Sequence, residues 1–263
     1  MAKKRKLKKP VILMIAIVTF FVVYFASFNL GTYLDTKDQV PVEKVEEEED
    51  TRPLITQVGT KKNIYISNLE LENIKIEEGN WQEIKYLFSQ FSKIRKPESF
   101  EPVYNGYTDD GVRFATDFNY FRVYTVNKEE YYKVPVEQKT EFEKLLKESM
   151  YTSFDFVKQY KTWKRVKITF EDKTKTIHKW KYDDLSYNMA AKRVVGKVQP
   201  EKSKARSEYN FTIEIEGEKY KIQLETMGKD YVKIKCDNLE AYYEVYTGLF
   251  EYLRDEIFKI EGK

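Results

Sequence analysis

The chain has 263 residues, 34% of them charged and 16% aromatic, with a formal net charge of +3. Lys3, Lys4, Arg5, Lys6, Lys8 and Lys9 place six positive charges within the first ten residues, which leaves the rest formally at about −3; phosphate binding draws on a clustered basic surface, so this composition argues against a nucleic-acid partner. With a single cysteine, Cys236, and a single histidine, His178, no intrachain disulfide can form, and a zinc centre or a histidine-based triad lacks its raw materials.

Residues 1–10 read as a basic cytoplasmic tail. Residues 11–31, VILMIAIVTFFVVYFASFNLG, carry no charged side chain and reach the ~20 residues that cross a hydrocarbon layer, so a transmembrane helix through the lipid bilayer is expected. The stretch exceeds the apolar core of a signal peptide, and no small-x-small cleavage site follows it. Basic residues precede it and the run Glu46, Glu47, Glu48, Glu49, Asp50 follows it, which puts the N-terminus in the cytoplasm and the C-terminal domain outside the cell membrane. Residues 32–62, acidic, with two prolines and no sustained periodicity, read as a flexible stalk.

Folded structure is expected from about residue 63. Ile64 and Ile66, then Ile74 and Ile76, alternate as strands do. Asn80 with Glu83 three residues on suggests a capped helix start, and Trp81, Ile84, Leu87, Phe88, Phe91 and Ile94 keep helical spacing up to Pro97. Asp109-Asp110-Gly111 marks a hairpin turn. Strands around Phe121 and Val123 and at Tyr131–Val134 follow, then a helix from Pro135 bearing Phe142, Leu145, Leu146 and Met150. After a connector at 151–163, the order restarts at 164. A hairpin comes first, then a helix capped by Asp183 and carrying Leu185, Met189, Ala190 and Val194. A hairpin at Glu216-Gly217, a strand DYVKIK, a strand YYEV and a closing helix bearing Leu249, Phe250, Leu253, Ile257 and Ile260 complete the chain.

The segments NYFRVYTVNKEEYYKV (119–134) and DYVKIKCDNLEAYYEV (230–245) align without a gap, and the same order of elements surrounds each. The expected fold class is therefore α+β: an N-terminal transmembrane helix followed by two tandem α+β units, 63–150 and 164–263, each a mostly antiparallel sheet packed by two helices. Phe121, Val123, Val232, Ile234 and Cys236 are expected to face the core. The opposite strand faces would present Tyr120, Arg122, Tyr124, Tyr231, Lys233 and Lys235 outward, an aromatic and basic surface suited to an acidic or carbohydrate polymer of a cell wall or to a protein partner. Each Tyr-Tyr pair, 131–132 and 242–243, should point one ring inward and one outward.

No catalytic residue, cofactor site or metal site is expected; Cys236 reads as a small buried hydrophobe and His178 as a surface side chain. A Lys-rich start, one membrane segment, an acidic stalk and a Tyr-rich body resemble the uncharacterised single-pass ectodomain families of Gram-positive bacteria, a likeness of architecture that implies no catalytic residues. The expectation is a non-catalytic, membrane-anchored extracytoplasmic protein that binds a membrane or envelope protein partner or a cell-wall polymer. A carboxylate-dependent envelope enzyme and a structural subunit of a secretion or conjugation assembly are the alternatives.

Overall fold

Alternating apolar residues in short runs, separated by tight turns, pair consecutively into antiparallel ladders, and the computed structural model describes residues 17–27, 51–204 and 210–260. Residues 17–27 form a helix, α1, with exposed side chains, inside the expected span 11–31. The rest of that span, the tail 1–10 and residues 32–50 of the expected stalk lie outside the described residues. Among the described residues no helix is long and apolar enough to cross a membrane.

The end of the expected stalk is folded. Residues Leu54–Thr60 form α2, which buries Leu54, Ile55 and Val58. Its anchor is Glu130, whose carboxylate accepts the Leu54 backbone N–H at 2.8 Å. Three apolar residues in seven are too few for periodicity to reveal, and tertiary packing makes the helix.

The first sheet takes β1 (Ile64–Ser67), β2 (Ile74–Lys75), β3 (Ser92–Ile94), β4 (Tyr104–Thr108), β5 (Arg113–Thr116), β6 (Tyr120–Tyr124) and β7 (Glu129–Lys133), with α3 (Glu78–Phe88) between β2 and β3 and α4 (Val136–Tyr151) after β7. A 3-10 segment, Phe154–Thr162, leads to the second sheet. That sheet takes β8 (Arg165–Phe170), β9 (Lys173–Ile177), β10 (Ala191–Gly196), β11 (Phe211–Glu216), β12 (Lys221–Met227), β13 (Tyr231–Cys236) and β14 (Leu239–Val245). Helix α5 (Tyr182–Asn188) separates β9 from β10, and the short α6 (Glu201–Lys204) lies between β10 and β11. Helix α7 (Gly248–Glu251) closes the fold and continues as a π-helix, Tyr252–Phe258. The chain is α+β with two seven-stranded antiparallel sheets.

The two sheets share one topology. The first runs β2-β1-β4-β5-β6-β7-β3, and the second, read from its β9 edge, runs β9-β8-β11-β12-β13-β14-β10, so each strand has its counterpart at the same place. Registers match as well: Tyr120 pairs with Lys133 and Arg122 with Tyr131, as Tyr231 pairs with Glu244 and Lys233 with Tyr242. The two echoing segments are thus the same hairpin, formed once in each sheet.

Equivalent positions exchange volume. Gly106 on β4 opposes Phe114 on β5, and a Cβ at Gly106 would enter that ring. In the second sheet Ile213 opposes Leu224 at the matching place. Two medium side chains fill there what one large side chain over a glycine fills in the first sheet, as close packing demands.

Two helices expected from periodicity end early. Helix α3 stops at Phe88, and Ser92–Ile94 instead pairs with Lys133–Tyr131 of β7 as the sheet's edge. Val194, expected on a helix, lies in β10 opposite Tyr243. Helical spacing continued through both edge strands by coincidence, and the unsatisfied edge of β7 or β14 decided the conformation. Asn80 is no cap: it sits inside α3, with Glu77 at the N-cap position.

This topology also explains the four tyrosines. The chain leaves β3 or β10 at one edge and pairs next in the middle of its sheet, and the described part of each connection meets the face opposite the helices. In the first sheet Phe100 of this strap stacks edge-on against Tyr131 at 5.9 Å; in the second, Gln199 meets Met227 on the outer side of β12. Hence Tyr131, Tyr132, Tyr242 and Tyr243 point to opposite faces in pairs, yet all four are buried. Phe121, Val123, Val232, Ile234 and Cys236 face the core as expected.

The two sheets share one apolar core, continued through the linking segment by Phe154, Phe156, Val157 and Trp163. The Tyr243 hydroxyl donates to the Thr152 carbonyl at 2.9 Å, and the Phe154 and Tyr243 rings lie 5.1 Å apart.

Candidate functional site

Arg122, named from sequence as part of a binding face, ion-pairs with Glu129 at 2.5 Å and lies 4.2 Å over the Tyr124 ring. Lys233, its counterpart, ion-pairs with Glu240 at 2.8 Å and lies 5.7 Å from the Tyr242 ring. Tyr131 donates to Glu129 and Tyr242 to Glu240, so one cation–tyrosine–carboxylate arrangement recurs in both sheets. Its charges are engaged by neighbours. Tyr120 and Tyr124 are half-buried, Lys235 is exposed, and Tyr231 is buried rather than presented outward.

His178 is exposed in the turn after β9, not on a strand. Cys236 is buried, and burial together with the nearby Asp237 and Glu70 carboxylates pushes its thiol up to about 11. Among the described residues no group of three or more His, Cys, Asp or Glu side chains is placed to hold a metal ion.

The structure brings a different set together. A cleft of about 380 Å³ opens between the start of α3, the end of α4 and the β10–β14 edge of the second sheet. Val194, Val195, Ala241 and Tyr243 form its apolar wall, and Glu77, Asn80, Glu83, Glu148 and Lys197 supply its polar groups. Its walls therefore come from the two helices of the first unit and from the second sheet.

Glu148 projects from the buried side of α4, where it is 4% exposed beside Leu145 and Ser149. A buried carboxylate requires a partner, and Lys197 provides one at 2.9 Å while also reaching Glu83 at 3.5 Å. Burial alone would lower the Lys197 ammonium, but Glu148 and Glu83 more than offset this and hold it above the ordinary lysine value. Glu77 shows the reverse: burial, reinforced by the Asp155 carboxylate, raises it despite Lys75 nearby. Asn80 is 9% exposed and its side-chain amide has no hydrogen bond among the described residues.

Sequence reasoning missed this cleft because its residues lie far apart along the chain. One signal was legible: Glu148 follows Leu145 by three positions and so falls on the apolar stripe of its helix. No family model, curated protein or solved structure matches this chain.

Proposed function

We propose that this is a single-pass, membrane-anchored protein of the cell envelope whose doubled extracytoplasmic body binds a protein or envelope ligand in the cleft between the helices of its first unit and the edge of its second sheet, without catalysing a reaction. The anchor rests on the uncharged residues 11–31 between a basic and an acidic flank. The common strand order and register support descent of the units 63–150 and 164–263 from one duplicated α+β unit. The observation that carries the binding reading is the cleft itself: an apolar wall with a few convergent polar groups, at the junction of two substructures, is the usual form of a ligand site.

A second reading, a carboxylate-dependent envelope enzyme, draws on the raised Glu77 carboxyl in the same cleft as Glu148. The test is a photo-crosslinker attached at Val195→Cys in the full-length protein, activated in intact cells before solubilisation. A single stoichiometric adduct, absent when the label sits at exposed Lys235→Cys, is the expected result. Recovery of the protein alone would count against stable binding, and turnover of envelope polymers abolished by Glu77→Gln would establish the enzyme instead.

A further inference from the structure

The cleft has a charge imbalance that the protein does not resolve. Three carboxylates, from Glu77, Glu83 and Glu148, line it against Lys197, while Lys75 acts on Glu77 from outside the lining without forming an ion pair with it. Lys197 bridges Glu83 and Glu148, so one ammonium serves two carboxylates, while Glu77 has no hydrogen bond or ion pair among the described residues. A half-buried carboxylate of this kind is stabilised by a cation brought close to it.

Asn80 is a second, independent observation. Its amide carries donors and an acceptor; the residue is nine-tenths buried, lines the cleft and has no side-chain hydrogen bond among the described residues. Its polar atoms are not sealed among the buried unsatisfied groups of the protein, so they face the open cleft and are free to bond what enters it. Something entering the cleft would complete it.

The third observation concerns shape. One wall is β10, the edge strand of the second sheet, paired only with β14. An edge strand offers backbone N–H and C=O groups to an extended chain, and alternate side chains of that chain reach what lies on either side. Here Val194, Val195 and Lys197 stand on the strand or at its end, with the carboxylates and Asn80 opposite. A volume of about 380 Å³ falls at the small end of the usual ligand range.

We infer that the cleft takes a short extended peptide bearing an ammonium group, its backbone along the free edge of β10 and its charge between Glu77 and the Glu83–Glu148 pair, with Asn80 completing its hydrogen bonds to the peptide. This rests on the reading of the cleft as a binding site and names the class of ligand. The carboxylates that Lys197 leaves uncompensated select the cation, the valines exclude water from one side, and a neutral side chain of equal length leaves Glu77 unpaired.

The test uses the full-length protein in detergent micelles and two fluorescent, N-acetylated, C-amidated peptides, alanine–valine–lysine–alanine and its norleucine counterpart, titrated by anisotropy. Saturable binding of the lysine peptide is expected, with the norleucine peptide at least about tenfold weaker, as loss of one charge-assisted hydrogen bond implies. Asn80→Leu and Glu77→Gln should each weaken the lysine peptide by a similar factor, and Lys235→Ala should leave it unchanged. If Asn80→Leu fails to fold, Glu77→Gln at the half-buried helix start carries the test. Equal binding of both peptides, lost in Asn80→Leu, would overturn the cationic selectivity and leave the cleft a binding site. Failure of both peptides to bind would overturn the inference, and the Val195 crosslink then separates the cases: an adduct preserves the binding reading, and none sinks both.

Discussion

Glu130 offers a quantitative test of how the start of the body is held. The side chain is 4% exposed and accepts hydrogen bonds from the Leu54 N–H at 2.8 Å, Lys93 at 2.7 Å and the Tyr132 hydroxyl at 2.5 Å, with Lys128 at 3.3 Å. Burial by itself would raise its carboxyl, but these donors together bring it down to about 2. Relative to an ordinary glutamate near 4.5, that depression corresponds to about 3 kcal/mol of stability at neutral pH. Because the folded-state value is depressed, the contribution is complete above the unfolded value and disappears as pH falls towards 2. About half should be gone by pH 3. Glu130→Gln keeps the shape and removes the charge. It should lower the midpoint of thermal unfolding at pH 7 by about 6–12 °C for a body of this size, followed by tryptophan fluorescence with urea titrations for the free energy. The matching position in the second sheet is Ala241, which pairs with Ile234 as Glu130 pairs with Val123, so the fold does not need a carboxylate there. A loss that stays the same from pH 7 to pH 3 would refute the electrostatic account.

Gly106→Ala should cost at least about 2 kcal/mol, since its Cβ would enter the Phe114 ring; Phe114→Leu in the same chain should restore much of it, measured as a double-mutant cycle in urea. Cys236, buried and with its thiol raised to about 11, should react with iodoacetamide at pH 8 at under about one hundredth of the rate of a free cysteine until the protein unfolds. Lys197→Met should destabilise by about 3 kcal/mol by leaving Glu148 buried without its cation. Because the Lys197 ammonium is held above its ordinary value of 10.5, the difference between wild type and this variant should persist below that pH and shrink as pH rises beyond it.

The repeated hairpin was legible because its apolar residues alternate and its two copies align without a gap; the matching registers of β6–β7 and β13–β14 are what that alignment required. The edge strands β3 and β10 were not. Ser92–Ile94 has three residues, none buried, and only the partner strand makes it extended. The faces of the sheets were read correctly in parity but not in exposure, because no local pattern announces that Tyr231 and Tyr242 will be buried on the face away from the helices. The cleft was invisible for a similar reason: Glu77, Glu148 and Lys197 become neighbours only once both sheets have packed.

The unequal pairs at the centre of the two sheets bear on how a doubled chain avoids confusing its own halves. Strands of one unit have the right alternation and register to join the other, and such crossed pairing is a common route to misassembly in repetitive chains. Crossed pairing of β4 with β12 would set Gly106 opposite Leu224 and leave a void, while β11 with β5 would press Ile213 into Phe114. Each unit is thus keyed to its own strands by volume, and the divergence between the copies serves as a sorting rule during folding.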